Sequence, residues 1–247
     1  MGVTHHGRTE RLDLVDPSLR EWQCTVVWSD PADPEAGIVL DRSAFYPGGG
    51  GQPPDHGVLL WGGVETQVVD TRKGDDLYLI PAPGAPVPPP GTAVQGAVAD
   101  ERRSLLMRTH SGLHVLCGVV FRDFGALVTG GNMEPAEARM DFNLPEVPAD
   151  FKTRLEELVN AEVAADRRIE ARVLPRGEAL ALPDIIRTQT SLIPADEQEI
   201  RIVDIVGLDQ QADGGTHVAS TRQIGRISVL KVESKGKANR RVRVRLS

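Results

Sequence analysis

Six of the chain's 18 prolines fall between Pro81 and Thr92. Proline fixes φ and offers no N–H, so such a segment builds neither a helix nor a central strand. It therefore divides the 247 residues into two stretches, each of which must find its own core. The stretch before it holds short β-branched or aromatic runs at 22–28, 37–40, 58–61, 65–69 and 76–80, separated by turn residues such as Gly62-Gly63. That spacing predicts a small β-barrel or sandwich over residues 1–91, with 81–92 as a stiff linker.

Beyond the prolines the period changes. Asp100 can cap a helix reaching about Phe121, and a second helix is expected from Asp150 onward, with Phe151, Leu155, Leu158, Val159 and Val163 at helical spacing. Strands are expected at 169–174, 200–206, 226–232 and 242–246. Together they predict an α+β domain over 92–247. No run approaches 18 apolar residues and the N-terminus lacks a signal-peptide pattern, so a cytoplasmic protein without a membrane span is expected. Nothing in the sequence points to an obligate protein partner.

The formal net charge of −7 disfavours nucleic acid as a partner until its distribution is considered. The segment Lys231–Ser247 carries +6, leaving −13 on the remaining residues. Such segregation suits a phosphate-binding surface, with Lys235, Lys237, Arg240 and Arg241 as its candidates. A solvated edge strand protected by charge explains the same pattern.

Three features carry chemistry. His110 and His114 lie four residues apart on the expected helix, so both imidazoles project from one face and can reach one metal ion. Cys117 shares that face but stands about 10.5 Å along the axis from His110 at 1.5 Å per residue, too far to share the ion. The second feature, Asp213-Gly214-Gly215-Thr216-His217, is a tight turn that can bring Asp213 and His217 together. Three histidines and a carboxylate form a plausible zinc set, whereas the bland alternative is a turn with an exposed histidine. The third is Phe45-Tyr46-Pro47 followed by four glycines and Gln52. It lacks the Lys-Ser/Thr of a phosphate-binding loop and is not a dinucleotide fingerprint.

In this order, Ser43 to Gln52, His110-Ser111-Gly112-Leu113-His114 and Gly214-Gly215-Thr216-His217-Val218, the motifs resemble those of the alanyl-tRNA editing proteins. These are free-standing relatives of the editing domain of alanyl-tRNA synthetase, related also to the threonyl enzyme. The resemblance runs from about Val15 to the C-terminal basic segment. It implies a glycine-motif β-barrel domain (1–91) followed by an α+β, zinc-containing editing domain (92–247). It further implies hydrolysis of mischarged tRNA(Ala), chiefly the seryl and sometimes the glycyl ester. His110, His114 and His217 match the family's zinc-ligand histidines, while Asp213 stands where the family typically has cysteine. That substitution hardens the donor set and leaves open whether Asp213 ligates directly or through water. Ser43, where the family often has threonine, becomes the candidate reader of the serine hydroxyl, with Gln52 second. A tRNA-binding module without catalysis and a small-molecule metallohydrolase are the competing functions.

Overall fold

The computed structural model describes residues 9–188, 193, 195 and 197–247. It resolves into two compact units, one of residues 1–49 and 53–104, the other of 50–52 and 105–247.

In the first unit six antiparallel strands close into a barrel: β1 (Glu21–Ser29), β2 (Ile38–Leu40), β3 (Gly57–Trp61), β4 (Val64–Lys73), β5 (Leu77–Pro81) and β6 (Ala93–Val98), in the order β1-β2-β5-β4-β3-β6. Alternation along β1 sends Trp22, Cys24 and Val26 into a core completed by Phe45, Leu59, Leu79 and Val94. Closure is what saves so small a sheet from exposed edges.

The proline-rich segment differs from the expected linker. Strand β6 follows it and seals the barrel by pairing with both β1 and β3, and the compact unit continues to Ser104. The prolines pack on the barrel through their carbonyls: Ser29 Oγ donates to Pro88 O (2.6 Å) and Thr66 Oγ1 to Pro86 O (2.7 Å), with Val87 buried among them. A segment rich in proline loses N–H donors but keeps every acceptor, and here the acceptors anchor it.

Within this unit Asp55 and Arg103 form a fully buried pair. Asp55 Oδ2 accepts from Tyr46 N (2.7 Å), Asp55 N donates to Tyr46 O (3.1 Å), and Arg103 Nη1 donates to Pro17 O (2.8 Å). The pair therefore staples the two ends of the glycine-rich loop. Removing one partner of such a pair strands a buried charge and costs about 3–5 kcal/mol.

The second unit is built on α1 (Asp100–Phe124), whose residues from Thr109 to Val120 are all buried. A helix buried on every side needs neighbours all round. These are a four-stranded antiparallel sheet in the order β12-β13-β8-β7 and the helix α2 (Phe151–Ala164), where β7 is Val128–Glu134, β8 Glu137–Phe142, β12 Ile227–Ser234 and β13 Arg240–Leu246. A second antiparallel sheet runs β9 (Ile169–Pro175), β10 (Glu199–Ile205), β11 (Asp209–Ala212). Leu106, Leu116, Val119, Phe142, Leu155, Ile227 and Val242 meet in the core, each fully buried aliphatic contributing about 1.5–3 kcal/mol. The architecture is α+β with a closed barrel, as the sequence implies. Among the described residues no helix is long and apolar enough to cross a membrane.

Candidate metal centre

α1 carries His110 and His114 one turn apart, and the turn after β11 brings up Asp213 and His217. One ligand atom from each of the four lies within 4.8 Å of all the others. The imidazoles pack closely, His110 stacking on His217 with centroids 4.4 Å apart and His114 edge-on to both at 5.0 and 4.7 Å. All three rings are buried.

The turn reaches this position because of Gly215. A Cβ there would stand 2.3 Å from His110 Cε1 and 2.4 Å from Nδ1, distances no real contact tolerates. Arg201, on β10, ties the turn down from behind: its Nη1 donates to Asp213 O (3.1 Å) and Gly215 O (3.0 Å).

Gln52, at the end of the glycine run, belongs to this unit. Its Oε1 accepts from Thr216 N (3.1 Å), and its Nε2 donates to Thr216 Oγ1 (2.8 Å). A backbone N–H can only donate, so the atom facing it is the oxygen, which fixes the amide orientation. The same Oε1 lies 2.9 Å from His110 Nδ1. His110 must therefore donate from Nδ1, and in the neutral ring Nε2 carries the lone pair.

That lone pair points at Asp213 Oδ1, 3.5 Å away. Burial holds His110 well below the usual imidazole range, so it stays neutral at pH 7. Burial penalises charge on Asp213, but the attraction of the surrounding histidine cluster, with the His217 hydrogen bond, shifts its carboxyl well below the usual carboxylate range. Two potential electron-pair donors thus face each other in a buried space, 3.5 Å apart and beyond ordinary hydrogen-bond length. Such an arrangement calls for a cation. His114 Nε2 faces the same oxygen at 3.9 Å, and its Nδ1 is buried with no hydrogen-bond partner among the described residues. The donor set of imidazoles and carboxylate suits a divalent first-row ion.

The expected site residues fare differently. His110, His114, Asp213 and His217 come together. Gln52 joins them, though as a partner of His110 and Thr216 rather than as an open reader of substrate. Ser43 lies in the barrel unit, buried, its Oγ accepting from Phe45 N (3.2 Å). Of the basic candidates, Lys235 and Lys237 sit exposed in the turn between β12 and β13. Arg241, by contrast, makes a paired contact with Asp141 (2.7 Å at Nε and at Nη2), and Arg240 donates to Asn239 O (3.0 Å) and Pro145 O. Two contributors escaped the sequence: Ser111, whose Oγ lies 3.1 Å from His217 Nδ1, and Arg201. The only hint of Arg201 was a charged residue inside the apolar run of β10.

Residues 200–243 match the family described as the threonyl and alanyl tRNA synthetase second additional domain. The chain is 38% identical over 241 residues to the alanyl-tRNA editing protein AlaX-M of Saccharolobus solfataricus, covering 95% of this chain and 97% of that protein. The chain belongs to the alanyl-tRNA editing proteins. The AlaX-M protein of Methanosarcina barkeri is 32% identical over 239 residues, again 95% of this chain and 97% of the relative. The alanine–tRNA ligase of Pyrobaculum neutrophilum is 40% identical over 203 residues, which are 79% of this chain but 22% of the ligase. The editing protein and the ligase thus share a module, and this chain is similar to that module along most of its length.

Proposed function

We propose that the protein hydrolyses the ester of mischarged tRNA(Ala), chiefly the seryl and secondarily the glycyl ester, with one Zn2+ at the cluster of His110, His114, Asp213 and His217. The observation that carries this reading is the buried cluster itself, with Asp213 Oδ1 turned toward the Nε2 atoms of two imidazoles, within a chain of the alanyl-tRNA editing family. Family relatives named as editing proteins support the substrate class. A donor cluster that comes together in a buried space supports a hydrolase over a tRNA-binding module that has shed its chemistry.

Zn2+ bound there supplies Lewis acidity toward an ester carbonyl and lowers the pKa of water. The chain's own part is orientation. Gln52 and Thr216 fix the His110 ring, Gly215 lets the turn approach it, and Arg201 holds the turn. Burial keeps His217 near a pKa of about 4, against the pull of the Asp213 hydrogen bond, so the ring is neutral where the enzyme works.

Discrimination of serine from alanine rests on one hydroxyl. A synthetase pocket rejects so small an addition weakly, whereas a site that hydrogen-bonds it discriminates by roughly 10⁴. Ser43 is the reader in this proposal: its Oγ accepts from Phe45 N, which leaves the hydroxyl proton free to donate.

The test is deacylation of Ser-tRNA(Ala) by the zinc-loaded protein, with Ala-tRNA(Ala) as control. Release of serine and sparing of alanine is the expected result. Ser43→Ala should lower kcat/KM for the seryl ester by roughly 10- to 100-fold, equivalent to about 1–3 kcal/mol, while Ser43→Thr retains it. Metal-replete protein that spares both esters overturns the reading.

A further inference from the structure

The four-stranded sheet carries charge in levels across its outer face. Val242, Val244 and Leu246 of β13 and Met140 and Phe142 of β8 lie in the core, so the alternate residues of both strands share the opposite face. Register sets Arg245 opposite Glu137 and Arg241 opposite Asp141, and both are ion pairs. Between those levels Arg243 stands opposite Arg139 on one side and opposite Lys231 on the other. One level across three strands is therefore wholly cationic, and like charges directly opposite destabilise a sheet. Edge protection does not account for it, because β13 and β8 are interior strands.

A bulge sets the third cation in place. Pairing passes from Val229–Val244 to Lys231–Arg243, leaving Leu230 as the extra residue, 40% exposed. An unbroken ladder would put Leu230 opposite Arg243. The bulge thus exposes a leucine and adds a cation to a row that already holds two.

The carboxylates nearby do not match this charge. Lys231 Nζ and Arg243 Nε both donate to the one carboxylate of Glu233, at 2.9 and 2.7 Å. Arg139 comes no nearer than 3.6 Å to Asp141, whose two oxygens are both engaged by Arg241. Arg139 therefore has guanidinium donors with no hydrogen-bond acceptor among the described residues, and its side chain is one-third exposed. Arg243 and Lys231 are more open still. Beyond the row toward the hairpin turn, the Asp141 carboxyl feels Arg241 first, then Arg139 and Lys235, so the lysine of the turn continues the positive surface.

We propose that the row Lys231–Arg243–Arg139 is a docking surface for backbone phosphates of tRNA. The proposal rests on the reading that tRNA is the substrate. Charge complementarity selects the occupant: a phosphodiester presents anionic oxygens that guanidinium forks match, and it supplies the anion that the sheet lacks at this level. Such contacts fix the position of the RNA and read no sequence. The Arg241–Asp141 and Arg245–Glu137 pairs on either side stay closed and frame the row.

Salt-dependent binding of tRNA(Ala) to the full chain, between about 50 and 200 mM salt, tests the assignment. Arg139→Gln and Lys231→Gln should each weaken binding and flatten the logarithmic slope by about 0.7 to 0.9, and together by about twice that. Arg139→Lys, which keeps the charge, should retain the slope. Arg245→Gln, from a paired level, should change it far less. Thermal melting supplies a readout of opposite sign, since removing a charge from a like-charged row relieves repulsion. Arg139→Gln should accordingly melt no lower than wild type while binding RNA more weakly. A lowered Tm with an unchanged slope would make the row structural and overturn the proposal, as would equal flattening by Arg245→Gln. Wild-type protein that binds tRNA(Ala) through the row yet spares the seryl ester overturns the hydrolase reading alone. Wild-type protein with no affinity for tRNA(Ala) overturns both.

Discussion

A single glycine sets the distance between the turn after β11 and the face of α1. Gly215 passes the His110 ring so closely that any Cβ would overlap two ring atoms and press on Gln52 Oε1 at 2.8 Å. The far end of a flexible chain can move aside, but His110 is buried and held by Gln52, so the ring itself must turn. Gly215→Ala is therefore expected to break the Gln52–His110 hydrogen bond and lower zinc affinity by about 10- to 100-fold, the usual penalty for losing such support. Zinc titration of the variant checks this, with circular dichroism to verify that the helices remain. Unchanged affinity would mean the ring has room that the geometry denies it. At this scale the sequence was informative about identities and silent about roles. His110 and His114 were legible because helical spacing alone puts them on one face. Gln52 is 164 residues from Thr216, a contact that no local pattern encodes, and Ser111 looks like any small residue between two histidines.

Elements show the same division between local and non-local information. The long helix, α2 and most barrel strands follow from hydrophobic period and turn residues. Strands β6 and β7 escaped because glycine reads as punctuation: Gly96 is in β6, and Gly130 and Gly131 are in β7. Gly96 is there because the Trp22 ring lies on it, with a Cβ position only 2.4 Å from Cζ2; the tryptophan supplies the packing that the glycine cannot. Strand β13 was legible as a strand but not as a surface. Its arginines pair across the sheet, Arg241 with Asp141, Arg243 with Glu233 and Arg245 with Glu137. The Asp141 carboxyl is accordingly held below its usual range, chiefly by the hydrogen bonds from Arg241. A depressed folded-state pKa contributes stability above the unfolded value near 3.9, and that contribution fades as pH falls through the folded one. Arg241→Met should therefore melt at a lower temperature than wild type at pH 7, and the gap should close as pH drops from about 4 toward 2. A constant gap in Tm across that range would assign the loss to packing of the arginine stem instead.

For the molecule as a whole, charge segregation is the property that most affects its dealings with tRNA. The chain outside the C-terminal hairpin is acidic and the hairpin basic, a segregation that would orient an approaching polyanion toward the hairpin if the proposed tRNA surface lies there. Yet most of the hairpin's guanidinium groups face carboxylates of their own sheet, so their charge is already partly compensated. Lys235 and Lys237 differ: both are exposed in the turn, and although Lys235 is near enough to Asp141 to add to the pull on its carboxyl, that carboxyl's hydrogen bonds come from Arg241. Each phosphate neutralised by a lysine releases a counterion, so its loss flattens the logarithmic salt dependence of binding by about 0.7 to 0.9. Lys235→Ala and Lys237→Ala should each weaken tRNA(Ala) binding and flatten the slope by that amount, and together by about twice it. Arg241→Met should change the slope far less, because its guanidinium is already satisfied by Asp141. Binding isotherms between about 50 and 200 mM salt separate these outcomes. A slope unaffected by both lysines but flattened by Arg241→Met would place the RNA on the sheet face, where the ion pairs would have to open to receive it.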